Sequence, residues 1–201
     1  MVLSADGNII YFLGTISSNI AICRFYLNNN TANYMEVADS YYYSGAVNTD
    51  LSGKLYAIYP NNNRDARTFM KLNPDTGISD WHVQYAWRGS NCGLYYSSVT
   101  LNKAQDKVYF VFREYSSSTN YQIFVSLNSS NGELIGNQYQ FPQSSYRAES
   151  MIIIGSKIYF IHSRGGAPGY YLSSYDTAND QFIKIVFSGY NNLMTKGEEG
   201  M

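Results

Sequence analysis

Four stretches of the chain run apolar without the polar interruptions that mark a face left in water. They are Ile9-Ile10-Tyr11-Phe12-Leu13, Leu55-Tyr56-Ala57-Ile58, Val108-Tyr109-Phe110-Val111-Phe112 and Ile158-Tyr159-Phe160-Ile161. β-Branched and aromatic residues dominate them, which favours strand over helix. A strand with one wet face alternates; a strand that is apolar throughout is predicted to be covered on both sides. Each stretch carries a tyrosine, and the four tyrosines lie 45, 53 and 50 residues apart. A second strand closes 16, 16, 18 and 16 residues after each tyrosine, on Leu27-Asn28, Leu72-Asn73, Leu127-Asn128 and Tyr175-Asp176.

Turn residues punctuate this pattern at fixed places. Asp6-Gly7-Asn8, Ser52-Gly53-Lys54, Gln105-Asp106-Lys107 and Gly155-Ser156-Lys157 precede the tyrosine strands, as hairpin connections do. A second turn follows each closing residue, and a further strand is predicted near Tyr34, Ser79, Leu134 and Phe182. One more short segment leads into the next tyrosine strand: Ser44 to Asn48, Leu94 to Leu101, Glu149 to Ile154, and last Ser188 to Thr195. Four short antiparallel strands in a unit of about 50 residues describe one blade of a propeller. The modules resemble β-propeller repeats of the Kelch or quinoprotein-like kind, above all in Gly53-Lys54-Leu55-Tyr56 with Leu72-Asn73-Pro74-Asp75-Thr76-Gly77. They lack the paired glycines of Kelch repeats and the Trp-Asp ending of the WD type.

The expected fold is therefore an all-β propeller with four blades of four-stranded antiparallel sheet, over residues 1–195. The modules fall at about 1–40, 41–90, 91–145 and 146–187, with 196–201 a flexible tail. The first blade is expected to lack its leading strand, because the chain starts just before a tyrosine strand. Residues 188–195 read as a leading strand with no successor. They either complete the first blade, closing a four-bladed ring, or begin the next blade of a larger propeller.

Composition narrows the function. A net charge of −1, with 14 scattered Lys and Arg, provides no basic stripe to neutralise phosphates and excludes a nucleic-acid partner. No apolar run reaches the roughly 18–20 residues a membrane-spanning helix needs. No signal peptide is visible at the amino terminus. The low share of charged residues, 14%, with 21 Tyr, resembles secreted or cell-surface β-proteins, and that location is the expectation. Cys23 and Cys92 have no metal-ligand spacing; they are read as buried free thiols, with a single disulfide between them as the alternative. Neither a metal nor another cofactor is expected.

Candidate chemistry concentrates in loops. The four repeated tyrosines are expected to pack between blades, each hydroxyl reaching a backbone partner. His82 and His162 have no nucleophile motif beside them. Asp6, Asp75, Asp106, Asp176 and Asp180 sit at turns, where carboxylates bond the backbone. Ser4-Ala5-Asp6-Gly7 falls short of the sialidase Asp-box. Trp87, Arg88 and Asn91, with Arg164, Tyr170 and Tyr171, combine aromatic faces with polar donors, a mixture suited to sugars or protein surfaces. Asn29 and Asn128 head glycosylation sequons at predicted turns. The function these features indicate is non-catalytic: a recognition or assembly module of an extracellular, surface or filament-forming protein, binding glycan or protein through its loops, and able to form a homo-oligomer or filament. The alternatives are a glycan-directed propeller enzyme using carboxylates such as Glu114 or Glu149 at a central opening, and an intracellular scaffold.

Overall fold

The computed structural model describes residues 1–17, 19–39, 45–61, 66–86, 95–116, 119–136, 139–140, 146–164, 170–179 and 181–185. Among these described residues, sixteen strands form four antiparallel sheets of four. The first sheet holds β1 (Val2–Leu3), β2 (Ile9–Ile16), β3 (Asn19–Tyr26) and β4 (Thr31–Asp39), in that order. The second holds β5 (Ala46–Thr49), β6 (Leu55–Pro60), β7 (Ala66–Leu72) and β8 (Ser79–Ala86). The third holds β9 (Tyr95–Leu101), β10 (Lys107–Ser116), β11 (Thr119–Asn128) and β12 (Tyr139–Gln140). The fourth holds β13 (Tyr146–Ile154), β14 (Lys157–Arg164), β15 (Tyr170–Asp176) and β16 (Gln181–Ile185). No helix occurs among the described residues.

Two expectations shift. The first sheet does have a leading strand, Val2–Leu3, paired with Tyr11 and Ile10. Two residues ahead of a turn carry too little periodicity to announce a strand. In the third sheet Leu134 makes only an isolated bridge to Leu127, and the outer strand comes later, at Tyr139–Gln140. The segments 188–195 and 196–201 lie outside the described residues.

The sheets stack in chain order. Their leading strands touch in succession, β1 to β5, β5 to β9 and β9 to β13, so these strands form the inner edge of the array. Three apolar layers lie between the sheets. Tyr11, Ile20 and Ile22 meet Leu55, Ala57, Met70 and Leu72 in the first. Tyr56, Ile58, Phe69 and Trp81 meet Val108, Phe110 and Phe112 in the second. Tyr109, Val111 and Phe124 meet Ile158, Phe160 and Tyr175 in the third. Edge-to-face ring pairs cross the second and third layers, Phe69 to Phe110 at 4.9 Å and Phe124 to Phe160 at 5.3 Å, the arrangement aromatic quadrupoles prefer.

Burial follows from this stacking. In the second sheet all six residues of β6 are buried, and Val108 to Phe112 of β10 are fully buried. These are the strands whose unbroken apolar sequence predicts cover on both sides. The first and fourth sheets carry the same pattern, yet β2 and β14 are covered on one face only, with Phe12 and Ile161 exposed on the other.

Connectivity sorts the links between strands into two ends. The leading hairpin turns and the turns after each closing residue lie together at one end, and they are tight and hydrogen-bonded. Ser4, Asp50 and Asn102 each start a leading turn and cap it with a side-chain oxygen, which accepts from the amides of Ile9, Lys54 and Lys107. In the first turn the Asp6 carboxylate accepts from the Ser4 hydroxyl at 2.6 Å. That bond, with others from Asn8, holds its pKa down at about 2. Gly7 and Gly53 take positive φ at a position where the third sheet has Gln105 at φ 59°. Gln105 offsets that strain by accepting the Leu51 amide of the second sheet on its side-chain oxygen.

Gly132 tests how strongly the sheet joints constrain the backbone. Its φ is +77°, and a Cβ there would lie 2.7 Å from the Trp81 ring of the preceding sheet. Gly53, at φ +82°, has open space around it. Gly53→Ala is expected to cost about 1 kcal/mol of strain. Gly132→Ala should cost about 2–4 kcal/mol, because overpacking adds to strain. Urea unfolding of the two variants checks the difference, and equal midpoints would contradict it.

Candidate functional site

A densely bonded polar group sits at the turn end of the joint between the second and third sheets. Asp50, Tyr56, Lys71 and Trp81 come from the second sheet and converge on the turn Asn128-Ser129-Ser130-Asn131-Gly132 of the third. Asn48, Tyr56, Lys71 and Trp81 are successive partners across four strands, so one row of the sheet faces this turn. Trp81 Nε1 donates to Ser129 O at 3.0 Å, and Lys71 Nζ donates to the same oxygen at 3.4 Å. The Tyr85 hydroxyl donates to Gly132 O at 3.0 Å. The Tyr56 hydroxyl lies 3.3 Å from Asp50 Oδ2 and 3.4 Å from Ser129 O. Lys71 Nζ is 3.7 Å from Asp50 Oδ2 and 5.1 Å from the centre of the Tyr56 ring. Burial first, then the Asp50 carboxylate, pushes the Tyr56 phenol well above its ordinary value.

This cluster is a latch rather than a reaction centre. The Asp50 carboxylate is buried, and its Oδ1 is occupied by the Ser52 amide, the Ser52 hydroxyl and the Lys54 amide. The joint between the first and second sheets repeats the device. Arg24 stands in the row Val2–Tyr11–Arg24–Asn33, where Lys71 stands in its own. Its Nη1 donates to Pro74 O at 2.8 Å, and Pro74 occupies the turn position of Ser129. Sequence reasoning did not single out Asp50, Lys71 or Arg24. The readable signal was the cation three residues before Leu27 and one before Leu72, which falls on the tyrosine row only once the register is known.

Trp87, Arg88 and Asn91 lie outside the described residues. Arg164 is the last residue of β14 and pairs with Tyr146, while Tyr170 and Tyr171 open β15 opposite Ser163 and His162. These three therefore share one hairpin end, opposite to the turn end. Asn29 and Asn128 head turns at the turn end, and each bonds its own turn: Asn29 Oδ1 accepts from Thr31 and Asn128 Oδ1 from Ser130. Cys23 is a free thiol whose pKa burial raises; Cys92 lies outside the described residues. Of the four repeated tyrosines, Tyr11, Tyr56 and Tyr109 are buried between sheets. Tyr159 is the exception, half-buried on the outer side of the fourth sheet. Among the described residues, no three His, Cys, Asp or Glu side chains are grouped to hold a metal. A cavity of about 210 Å³ opens at the inner edge, lined by β1, β5 and β9 through Val2, Val47, Asn48, Ser98 and Val99. Asn48 Nδ2 ties β5 to β9 beside it, donating to Val99 O at 2.9 Å. No helix among the described residues is long and apolar enough to cross a membrane.

No family model matches the chain, and no curated protein matches it. Solved structures do. TolB from Acinetobacter baumannii superposes over 94% of this chain and 43% of its own, at 13% identity and a TM-score of 0.57. The β-propeller domain of the trilobed protease from Pyrococcus furiosus covers 92% of this chain and 55% of its own, at 13% identity and a TM-score of 0.51. A GH43 β-1,3-galactosidase covers 92% and 47%, at 8% identity and a TM-score of 0.55. The four sheets are blades of a β-propeller. The chain spans about half the length of these propeller neighbours. None of the three is named as a Kelch protein, so the Kelch side of the resemblance gains no support. A protease domain and a galactosidase differ in activity, and likeness at this identity shows the fold alone.

The latch between blades two and three generates its own test. Tyr56→Phe is expected to lower stability by about 1–2 kcal/mol, and to couple with Lys71→Met by about 0.5 kcal/mol or more in a double-mutant cycle. Strict additivity in urea unfolding would show that the two groups do not act on a shared joint.

Proposed function

We propose that the chain is a non-catalytic recognition module of a secreted or surface protein, binding a glycan or protein through the connections at the loop end of its blades. The observation that supports this reading is the division of labour between the two ends. At the turn end the short connections are consumed by hydrogen bonds within and between blades. At the other end β8 stops at Ala86 and β9 starts at Tyr95, flanking the sequence that carries Trp87, Arg88 and Asn91, and the hairpin residues Arg164, Tyr170 and Tyr171 stand at that end too. Aromatic faces beside guanidinium and amide donors on a rigid scaffold suit a saccharide or an extended protein surface.

A second reading, a glycan-directed enzyme, is favoured by one feature. The pairing of β13 with β14 slips between Ala148 and Ser150, so Glu149 sits in a β-bulge on an inner strand. Bulges of this kind recur beside active sites, where they re-aim a side chain.

A glycan array separates the readings. The recognition reading expects a defined set of saccharides to be retained intact, with Trp87→Ala and Tyr170→Ala each weakening retention by about tenfold or more, and Asn29→Gln at the turn end leaving it unchanged. An array without bound saccharide contradicts the glycan form of the proposal, as does binding that survives both aromatic substitutions. Cleavage of a retained saccharide that Glu149→Gln abolishes supports the enzyme instead.

A further inference from the structure

Guanidinium and ammonium groups are sorted between the two ends of the blades. Among the described residues Arg67, Arg113, Arg147 and Arg164 stand in the loop-end halves of their strands. Lys54, Lys71, Lys103, Lys107 and Lys157 stand at the turn end with Arg24, and Lys184 lies mid-sheet. The planar fork of arginine matches an oxyanion with two parallel hydrogen bonds, which a lysine does not reproduce.

The three internal joints use these arginines differently. Between blades one and two the loop-end rows are uncharged, Thr15–Ile20–Ala38 against Tyr59–Thr68–Gln84. Between blades two and three the fully buried Arg67 stands on the face that meets Phe110 and Phe112, and the next row of that opposing face is Glu114–Tyr121. A buried guanidinium at this joint thus has a carboxylate position opposite, as burial of a charge requires.

The joint between blades three and four has none. Blade three meets blade four through Tyr109, Val111 and Phe124, and the rows that follow toward the loop end are Tyr95–Arg113–Gln122 and Tyr115–Asn120. Blade four answers with Met151 and Phe160, then the rows Ala148–His162–Tyr171 and Tyr146–Arg164. Among the described residues, no paired position on either facing surface is a carboxylate, from the turn-end pair Lys107–Asn128 and the Lys184 row through to the loop end. The nearest in register is Glu149, in the bulge beside Ala148. Gln122 is 1% exposed and Arg113 half-buried, so the polar rows begin inside the joint.

We propose that the loop end of this joint holds the anionic group of an acidic saccharide, a uronate carboxylate or a sulfate ester, between Arg113 and Arg164. The inference rests on the recognition reading and names the class of glycan that reading leaves open. Facing sheets pack about 10 Å apart, so long side chains from both walls reach one oxyanion. Tyr95, Tyr171 and Gln122 stand in the same rows. They bring flat faces and a neutral amide suited to hydroxyl-bearing rings, which an acidic peptide would leave unused.

An array of uronate-bearing and sulfated oligosaccharides, each beside its carboxyl-reduced or desulfated counterpart, tests it. The retained set is expected to be acidic, and removal of the acidic group should weaken retention about tenfold or more. The counterpart that loses binding tells carboxylate from sulfate. Arg113→Lys, which keeps the charge and loses the fork, and Arg164→Gln should each weaken retention by a similar factor. Lys103→Gln, at an exposed position of the turn end, should leave it unchanged. Should Arg113→Lys lose its sheet circular-dichroism signal, Arg164→Gln at the end of β14 carries the test. Neutral counterparts held as tightly as the acidic forms overturn this inference and leave the recognition reading standing. So does acidic binding that Arg164→Gln leaves unchanged, or that Lys103→Gln weakens equally. Polyglutamate retained more tightly than every acidic saccharide overturns the saccharide class, and an array without bound saccharide overturns this inference together with the glycan reading.

Discussion

A four-stranded sheet with apolar side chains on both faces stays out of water only if something packs on each side. Every other feature of this chain follows from that condition. It explains why the tyrosine strands do not alternate, and why the blades stack face to face in chain order. It also explains why β6 and the Val108–Phe112 stretch of β10 are buried. Burying one such aromatic or aliphatic side chain is worth about 1.5–3 kcal/mol, and each joint buries several from each side. The cohesion of the array therefore resides in the layers between sheets, much more than in the pairing within them.

Polar groups complete the joints at one end. A blade's edge turn exposes carbonyls that the layer would otherwise leave dry and unpaired, and an unpaired buried carbonyl is costly. The preceding blade supplies the donors: Arg24 for Pro74, and Lys71 with Trp81 for Ser129. The same turns need glycine where the neighbour presses close, at Gly77 under Met35 and at Gly132 under Trp81. Turn chemistry and blade packing are thus two aspects of one contact. This commits the turn end to structure.

The repeat was legible because its period is carried by large apolar side chains at fixed spacing. Tyr11, Tyr56, Tyr109 and Tyr159 announce the blades, and Gly53 and Leu72-Asn73 announce their turns. The two-residue strand Val2–Leu3 was not legible, because it is held by pairing to Ile10 and Tyr11 and has no pattern of its own. Nor was the late outer strand of blade three, since an edge strand needs little sequence signal. The latch escaped because Asp50 and Lys71 are 21 positions apart and meet only through the register of β6 and β7. Periodicity also misjudged Tyr159 and Phe12. It reports what a strand is suited to, whereas burial depends on which neighbour is present.

That difference between suitability and burial identifies the protection of the end strands as the quantity to measure. Hydrogen exchange, followed strand by strand at a concentration low enough to keep the chain monomeric, reads it directly. The amides of Leu55–Pro60 and Val108–Phe112 are predicted to exchange slowest, with those of β2 and β14 markedly faster despite equivalent strand pairing. Equal protection of β14 and β10 in the monomer would contradict the claim that packing between blades, rather than the sheets themselves, holds this protein together.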